Sequence, residues 1–270
     1  MVKLDYAIIV SSRDPAGMNI GEQLAHLQHF PTTISDKKVN IFVKDEAITE
    51  LDDIDKEIDA DVFVFASKHV SKNGVNSLTV HSIGNWGKAM FGGRDRTLVK
   101  VPANLLKNCF RLLVKKTTQA KLDYYVMQEA THHGPYLDKP TMFIEIGSSE
   151  ERWKDTAAGK VVAATILEAI EKDQGSNEIK VVVGIGGMHH SPNFGKVMLV
   201  DDVAVSYVCP KYMLESLDAD ILKQAIEKSL PKASNVVLDW KGLGQEKGRI
   251  IKMLEDLGLG YDRTKDMHKK

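Results

Sequence analysis

Six of the nine histidines in this 270-residue chain fall in short segments that also carry glycine, proline or a strand end. His69 lies in SKHVS, His81 in LTVHSIGN, His132 and His133 in EATHHGP, and His189 and His190 in GIGGMHHSPNF. Imidazole titrates near neutrality and is the commonest metal ligand, so a convergence of such residues points to acid–base or metal chemistry. Neighbours on an extended backbone point to opposite faces. Each His-His pair is therefore expected to offer one ring to a reaction centre and the other to a supporting or substrate-contacting role. Gly134-Pro135 and Ser191-Pro192 then turn the chain and hold the rings in place. Carboxylates stand close by. Glu129 precedes His132 by three positions, and Glu145 sits inside the apolar run TMFIEIGSS. A carboxylate buried in such a strand must be paired, protonated or metal-bound. An ion pair with a structural Arg or Lys would meet the same need.

Other chemistries find little support. There is no GxSxG elbow and neither cysteine lies beside a histidine, which leaves no candidate serine or cysteine nucleophile. Gly184–Gly187 reads GIGG and lacks the pattern of a dinucleotide turn or a P-loop, so no nucleotide cofactor is expected. Gly147-Ser148-Ser149 opens a helical segment whose free N–H groups suit a carboxylate or phosphate. Ser11–Gly17 (SSRDPAG) is either a substrate loop or an ordinary strand-to-helix turn. Cys109 and Cys209 read as buried thiols of a reducing compartment.

The positioning elements follow from periodicity. Strand-like runs are 4–10, 39–43, 62–66, 78–83, 124–128, 141–146, 179–184, 203–208 and 236–240, several of them continuously apolar, as in strands covered on both faces. Helices are expected over 17–30, 103–121, 150–172, 219–229 and 245–257, with Pro102 opening the second and Gly258 and Gly260 ending the last. This alternation predicts one α/β domain over residues 1–270 with a mixed or parallel sheet, and a Gly-rich functional loop at 84–101. The N-terminal MVKLDYAIIV lacks a cleavage site and reads as a first buried strand, and no apolar run is long enough to span a membrane.

The net charge of −1 conceals an uneven distribution. Residues 45–61 hold nine acids and one lysine, whereas residues 86–122 hold nine Lys/Arg and only Asp95. A protein that touches one end of a polyanion needs such a patch and not a high overall charge. At 100° per residue Lys107, Arg111 and Lys115 share a helix face opposite Leu105, Leu106, Cys109, Phe110, Leu112 and Leu113, predicting an exposed basic ridge about 12 Å long.

EATHHGPYLDKPTMFIEIGSSEERWKD, GIGGMHHSPNF, SKHVSKNGVNSLTVHSIGN and SSRDPAGMNI together resemble the archaeal and plant type of D-aminoacyl-tRNA deacylase, and the likeness runs from the first strand to Asp239–Leu243. Where that family usually carries Tyr after the first His of its GGxHY segment, this chain has His190. The resemblance implies a three-layer α/β/α fold with a mixed sheet, similar to the phosphorylase/peptidyl-tRNA hydrolase type. It further implies a cytoplasmic, monomeric enzyme that uses zinc and hydrolyses the ester between a D-amino acid and the tRNA 3′ end, with broad side-chain tolerance. On that reading His132, His189 and Glu129 are expected metal ligands or water-holders, with Glu145 or Glu129 as base, and His81 and His133 in proton transfer. His69, His190, Ser148, Gly187 and Asn85 are expected substrate contacts, and Arg94, Arg96, Lys107, Arg111 and Lys115 are expected to hold phosphates of the acceptor end. A zinc exopeptidase or amidohydrolase, a metal-free deacylase and a non-catalytic RNA-binding module are the competing readings.

Overall fold

Runs of Val, Ile and Phe become strands here because β-branched and aromatic side chains pack well on a pleated surface. The computed structural model describes residues 3–71, 74–173, 179–200 and 202–267; Met1-Val2 of the first run and Lys72-Asn73 of the SKHVSKNGVNS segment lie outside them. In the first half, the elements are β1 (Leu4–Ser11), α1 (Pro15–Leu27), β2 (Thr32–Ile34), β3 (Lys37–Lys44), β4 (Ala60–Val70) and β5 (Ser77–His81). The two-residue strands β6 (Gly84–Asn85), β7 (Thr97–Leu98) and β8 (Val101–Pro102) occupy the Gly-rich loop. Then come α2 (Ala103–Gln119), β9 (Tyr125–Gln128), β10 (Thr141–Ser148), α3 (Glu150–Trp153) and α4 (Thr156–Lys172). The last third holds β11 (Lys180–Ile185), α5 (Pro192–Met198), β12 (Val203–Cys209), α6 (Ala219–Glu227), β13 (Ser229–Leu230), β14 (Asn235–Leu238), α7 (Lys247–Asp256) and β15 (Tyr261–Arg263).

The strands form a seven-stranded mixed sheet, β2-β3-β1-β4-β10-β5-β9, and a four-stranded parallel sheet, β12-β11-β14-β15. The mixed α/β architecture flanked by helices is the expected one. All nine expected strands are present within a few residues, whereas α5 was not foreseen. The helix expected over 150–172 is divided, because Asp155 accepts hydrogen bonds from Ala157 N and Ala158 N and starts α4 afresh. Among the described residues no helix is long and apolar enough to cross a membrane.

The larger apolar core runs through both sheets, from Leu78 and Val80 to Val182, Val205 and Val237, with α2 packed between them. A second core lies beneath the segment 48–58, where Ile48, Leu51, Ile54 and Ile58 cover Ala7, Ile9, Phe63 and Phe65. α2 touches α4, both β5 and β9 of the large sheet, and β12 of the small one. It is therefore buried on more than one side, and this corrects the expected ridge. Lys107 is 1% exposed, and its ammonium donates to the carbonyls of Met198 (3.1 Å), Val203 (2.5 Å) and Val200. Only Arg111 and Lys115 of the three keep an exposed position.

Lys107 thus ties α2 to the turn before β12, with its charge dispersed over three carbonyl dipoles. Lys107→Met, which keeps the stem and removes the donors, is expected to cost roughly 3–5 kcal/mol in urea unfolding. A stability within about 0.5 kcal/mol of the parent, the range of an ordinary surface change, contradicts this role.

Candidate active site

The residues that leave β9 join the two sheets. Ala130 N donates to His189 O (2.8 Å), Thr131 N to Val208 O (2.9 Å) and Ser191 N to Gln128 O (3.2 Å), while Glu129 bridges His190. These backbone bonds set the 132–133 pair beside the 189–190 pair. Gly134 closes the arrangement, since its N–H donates to Phe91 O (2.9 Å) and a Cβ there would lie 2.3 Å from Gly93 N.

The centre of the large sheet supplies the other rings. Glu145 on β10 is in register with Ser67 on β4 and Thr79 on β5, so all three side chains share one face. Ser67 Oγ donates to Glu145 Oε1 (2.6 Å) and Thr79 Oγ1 to Oε2 (3.5 Å). His69, two residues beyond Ser67, occupies space that a Cβ at Gly147 would fill, at 2.9 Å from its Cδ2. His81 ends β5 with its Nε2 3.7 Å from Glu145 Oε1.

Glu129 is the hub. His69 Nδ1 lies 2.9 Å from its Oε1, and His189 Nε2 lies 3.0 Å from its Oε2. His132 Nε2 is 3.8 Å from the same Oε2. Neither oxygen receives an aligned hydrogen bond among the described residues, and His81 Nε2 is likewise buried without one. Burial opposes ionisation of Glu129, but the imidazoles of His189 and His69 outweigh it and hold the carboxyl well below the ordinary range. Glu145 is lowered in the same way, burial being overcome by His69 and His81. For His69 burial is outweighed by Glu129 and Glu145, and its pKa is pushed up to about 10. His132 and His133 go the other way. Burial and then adjacent imidazoles lower His132 well below its usual value, and burial with His81 brings His133 to about 4.

Backbone carbonyls select the tautomers. His81 Nδ1 faces Ser82 O (3.1 Å), His132 Nδ1 faces Ala130 O (2.8 Å) and His133 Nδ1 faces Gly134 O (2.5 Å). A carbonyl only accepts, so a neutral ring carries its proton on Nδ1 and keeps the Nε2 lone pair. His189 Nδ1 meets Tyr212 OH (3.0 Å), and His190 Nε2 meets His69 Nε2 (3.0 Å).

The donors suit a metal ion. His69, Glu129, His189 and His190 each offer an atom within 4.8 Å of the others. His81, His132 and His133 form a second such group, and His81, Glu129 and Glu145 a third. The expected ligand set therefore divides, with His189 and Glu129 in the first group and His132 in the second. The expectation that paired histidines point apart is also corrected. His133 has a φ of +46°, so the backbone is not extended there, and the rings of His132 and His133 lie 4.2 Å apart by centroid.

Two cavities share this wall. The larger, about 620 Å³, is lined by His69, His132, His133, His189 and Glu145 together with Ser11, Arg13, Asp14, Lys68 and Phe91. The smaller, about 310 Å³, lies against His132, His133, His189, Asn85, Trp86, Met90, Tyr212 and Met213. The SSRDPAG segment thus borders the larger cavity, with Asp14 capping α1 through Ala16 N and Gly17 N. Tyr212, Ser67 and Thr79 were not foreseen, since hydroxyls in a strand or turn give no local signal of a distant imidazole or carboxylate. Of the expected substrate contacts, Ser148 and Gly187 line neither cavity: Ser148 Oγ donates to Val75 O, and Gly187 packs against Phe194, Asp239 and Gly242. Asn85 lines the smaller cavity, its Nδ2 donating to Gly92 O and Arg94 O. Two of the expected phosphate contacts form ion pairs at the surface. Arg94 pairs with Asp53 (3.3 Å) and stacks on Tyr136, and Arg96 pairs with Asp218 (2.5 Å).

Comparison with known proteins gives the family. A profile of the D-aminoacyl-tRNA deacylase family matches residues 56–261. The chain is 36% identical over 273 residues to the D-aminoacyl-tRNA deacylase of Pyrococcus furiosus, covering 94% of this chain and 98% of that one. It is 33% identical over 271 residues to the namesake from Methanocaldococcus jannaschii, covering 97% and 100%. A crystal structure of a conserved protein of unknown function superposes with a TM-score of 0.89 at 31% identity, covering 100% of this chain and 99% of the other. With its imidazoles gathered around Glu129 and this likeness along nearly its whole length, the chain belongs to the D-aminoacyl-tRNA deacylase family.

Proposed function

We propose that the chain hydrolyses the ester joining a D-amino acid to the 3′ ribose of tRNA, with the Glu129 cluster as its reaction centre. The carrying observation is a fully buried carboxylate met near 3 Å by two imidazoles, of which His189 lines both cavities and His69 the larger one. An ester has two arms. A reactive wall with space on either side can receive the acyl group in one cavity and the ribose in the other.

Ester hydrolysis requires an activated water, charge stabilisation on the carbonyl oxygen and a proton for the departing ribose oxygen. The group His69, Glu129, His189 and His190 would hold zinc, since one carboxylate among imidazoles is a zinc donor set and the orphaned Glu129 oxygens need a cation. Zinc so held supplies a water acidified to a pKa of about 7 and a Lewis acid for the carbonyl. His132 is suited to moving the proton. Its Nδ1–H is fixed on Ala130 O, its Nε2 is left as acceptor beside the cavity, and its lowered pKa keeps the ring neutral at pH 7. Tyr212 orients His189 through Nδ1. Glu145, held by Ser67 and Thr79, fixes His81 and His69 from behind.

The direct test is turnover of matched D- and L-Tyr-tRNA beside an unblocked dipeptide. Hydrolysis of the D-ester alone is expected; cleavage of the dipeptide in its place would make the chain an exopeptidase. Glu129→Gln keeps the shape but removes the charge, so the purified variant is expected to lose bound zinc by elemental analysis and lose turnover with it. Zinc content equal to the parent's would exclude Glu129 as a ligand. His132→Ala is expected to lower kcat by about a hundredfold or more, the usual share of a general acid–base, with zinc content retained. Parent-like kcat would remove His132 from proton transfer.

A further inference from the structure

A third cavity, about 520 Å³, lies away from the imidazoles and is lined by Asn193, Lys196, Asp239, Trp240, Lys241, Arg263, Thr264 and Lys265. In the basic stretch 86–122, Lys107 is buried on carbonyls, Arg94 and Arg96 face Asp53 and Asp218, and Lys116 faces Glu168 at 2.6 Å, while Lys88, Lys100, Lys115 and Lys121 have no carboxylate within ion-pair distance among the described residues. At the cavity, among the described residues, Lys196, Lys241, Arg263 and Lys265 have no carboxylate within ion-pair distance. The lining acid, Asp239, accepts from Asn193 Nδ2 (3.0 Å) instead. The four cations come from three distant segments, so their gathering is a product of the fold and not of a charge run.

The floor of the cavity is aromatic. The Arg263 guanidinium lies 3.7 Å from the Trp240 ring centroid, and the Lys247 ammonium lies 4.6 Å from it. A guanidinium spread on an indole is a flat, charged platform on which a base can stack while neighbouring lysines meet phosphates. The cavity is also joined to the reaction centre by chain. The segment after β11 carries His189 and His190, then Asn193 at the cavity and Lys196 about one helical turn further along α5.

We propose that this cavity binds the phosphodiester backbone of the single-stranded 3′ end of RNA, with Lys196, Lys241 and Lys265 on phosphates and the Arg263–Trp240 stack beneath a base. The identity of that RNA as tRNA rests on the function proposed above. The assignment moves the nucleic-acid contact from the exposed face of α2 to the mouth of the small sheet.

Binding of uncharged tRNA, read by fluorescence at several salt concentrations, tests the assignment without any catalysis. Lys241→Ala/Lys265→Ala is expected to weaken binding about tenfold at low salt and to reduce the slope of log K against log salt by about 1.4, the value for two phosphate contacts on a single strand. On D-Tyr-tRNA the same variant is expected to raise KM with kcat kept. On D-tyrosyl-adenosine, which has no phosphate, it should match the parent. An unchanged slope overturns the proposal, as does an equal loss on the nucleoside ester. A slope lowered by Lys115→Ala but not by the double variant places the RNA on α2. If the parent hydrolyses neither ester, the proposed activity fails, while the binding slopes still decide whether this cavity holds RNA.

Discussion

A carboxylate taken out of water must be met by positive charge or by well-aimed donors, and around Glu129 the donors are not aimed. Two imidazoles approach within about 3 Å without aligned hydrogen bonds, and a second buried carboxylate, Glu145, stands close behind. The site can balance these charges in two ways. His69 and His81 can carry protons, which the raised basicity of both favours. Alternatively, a divalent cation can take the place of those protons, as expected where metal and proton compete for the same lone pairs. Either way, the surrounding framework must hold imidazoles against one another that would repel if all were charged. Neutral His132 and His133, with lowered pKa and carbonyl-fixed Nδ1, are part of that solution.

The framework that does this is backbone, not side chain. Residues 128–131 hydrogen-bond to the strand ends and following turn of the small sheet, while β4, β10 and β5 align Ser67, Glu145 and Thr79 in one row. Backbone ladders tolerate little displacement, so rings placed by them stay within reach of one another as the chain fluctuates. α2 reinforces the same junction from the apolar side, packing on strands of both sheets and using the Lys107 ammonium to hold the turn before β12.

The charges divide along a similar line. Some cations of 86–122 are taken up inside the molecule: the acidic segment 45–61 folds beside the Gly-rich loop, with Asp53 on Arg94 and Asp52 accepting from Gly93 N and Tyr136 N. What remains for an external polyanion is set by which cations find no internal acid. Those around Trp240 meet that condition, and the loop after β11 connects them with the imidazoles.

Much of this was legible in one dimension. Period-two and continuous apolar runs located the nine main strands, because a pleated strand has only two faces to satisfy. The histidine-bearing segments, Glu129 and Glu145 stood out because polar groups beside glycine, proline or apolar runs need a reason to be there. Their joint membership in one cluster agrees with the resemblance first seen in THHGP, EIGS and GGMHH. Pairings between distant residues were not legible. Nothing local says that His69 and His190 will meet, that Tyr212 will hold His189, or that His133 will take a left-handed φ and turn its ring toward His132. Helical periodicity put Lys107 on an outer ridge because it assumes a single covered face, and only the packing of α2 between two sheets and α4 decided otherwise. Local pattern reports how a segment partitions between oil and water; which buried groups become partners depends on sheet order and register, and these are properties of the whole chain.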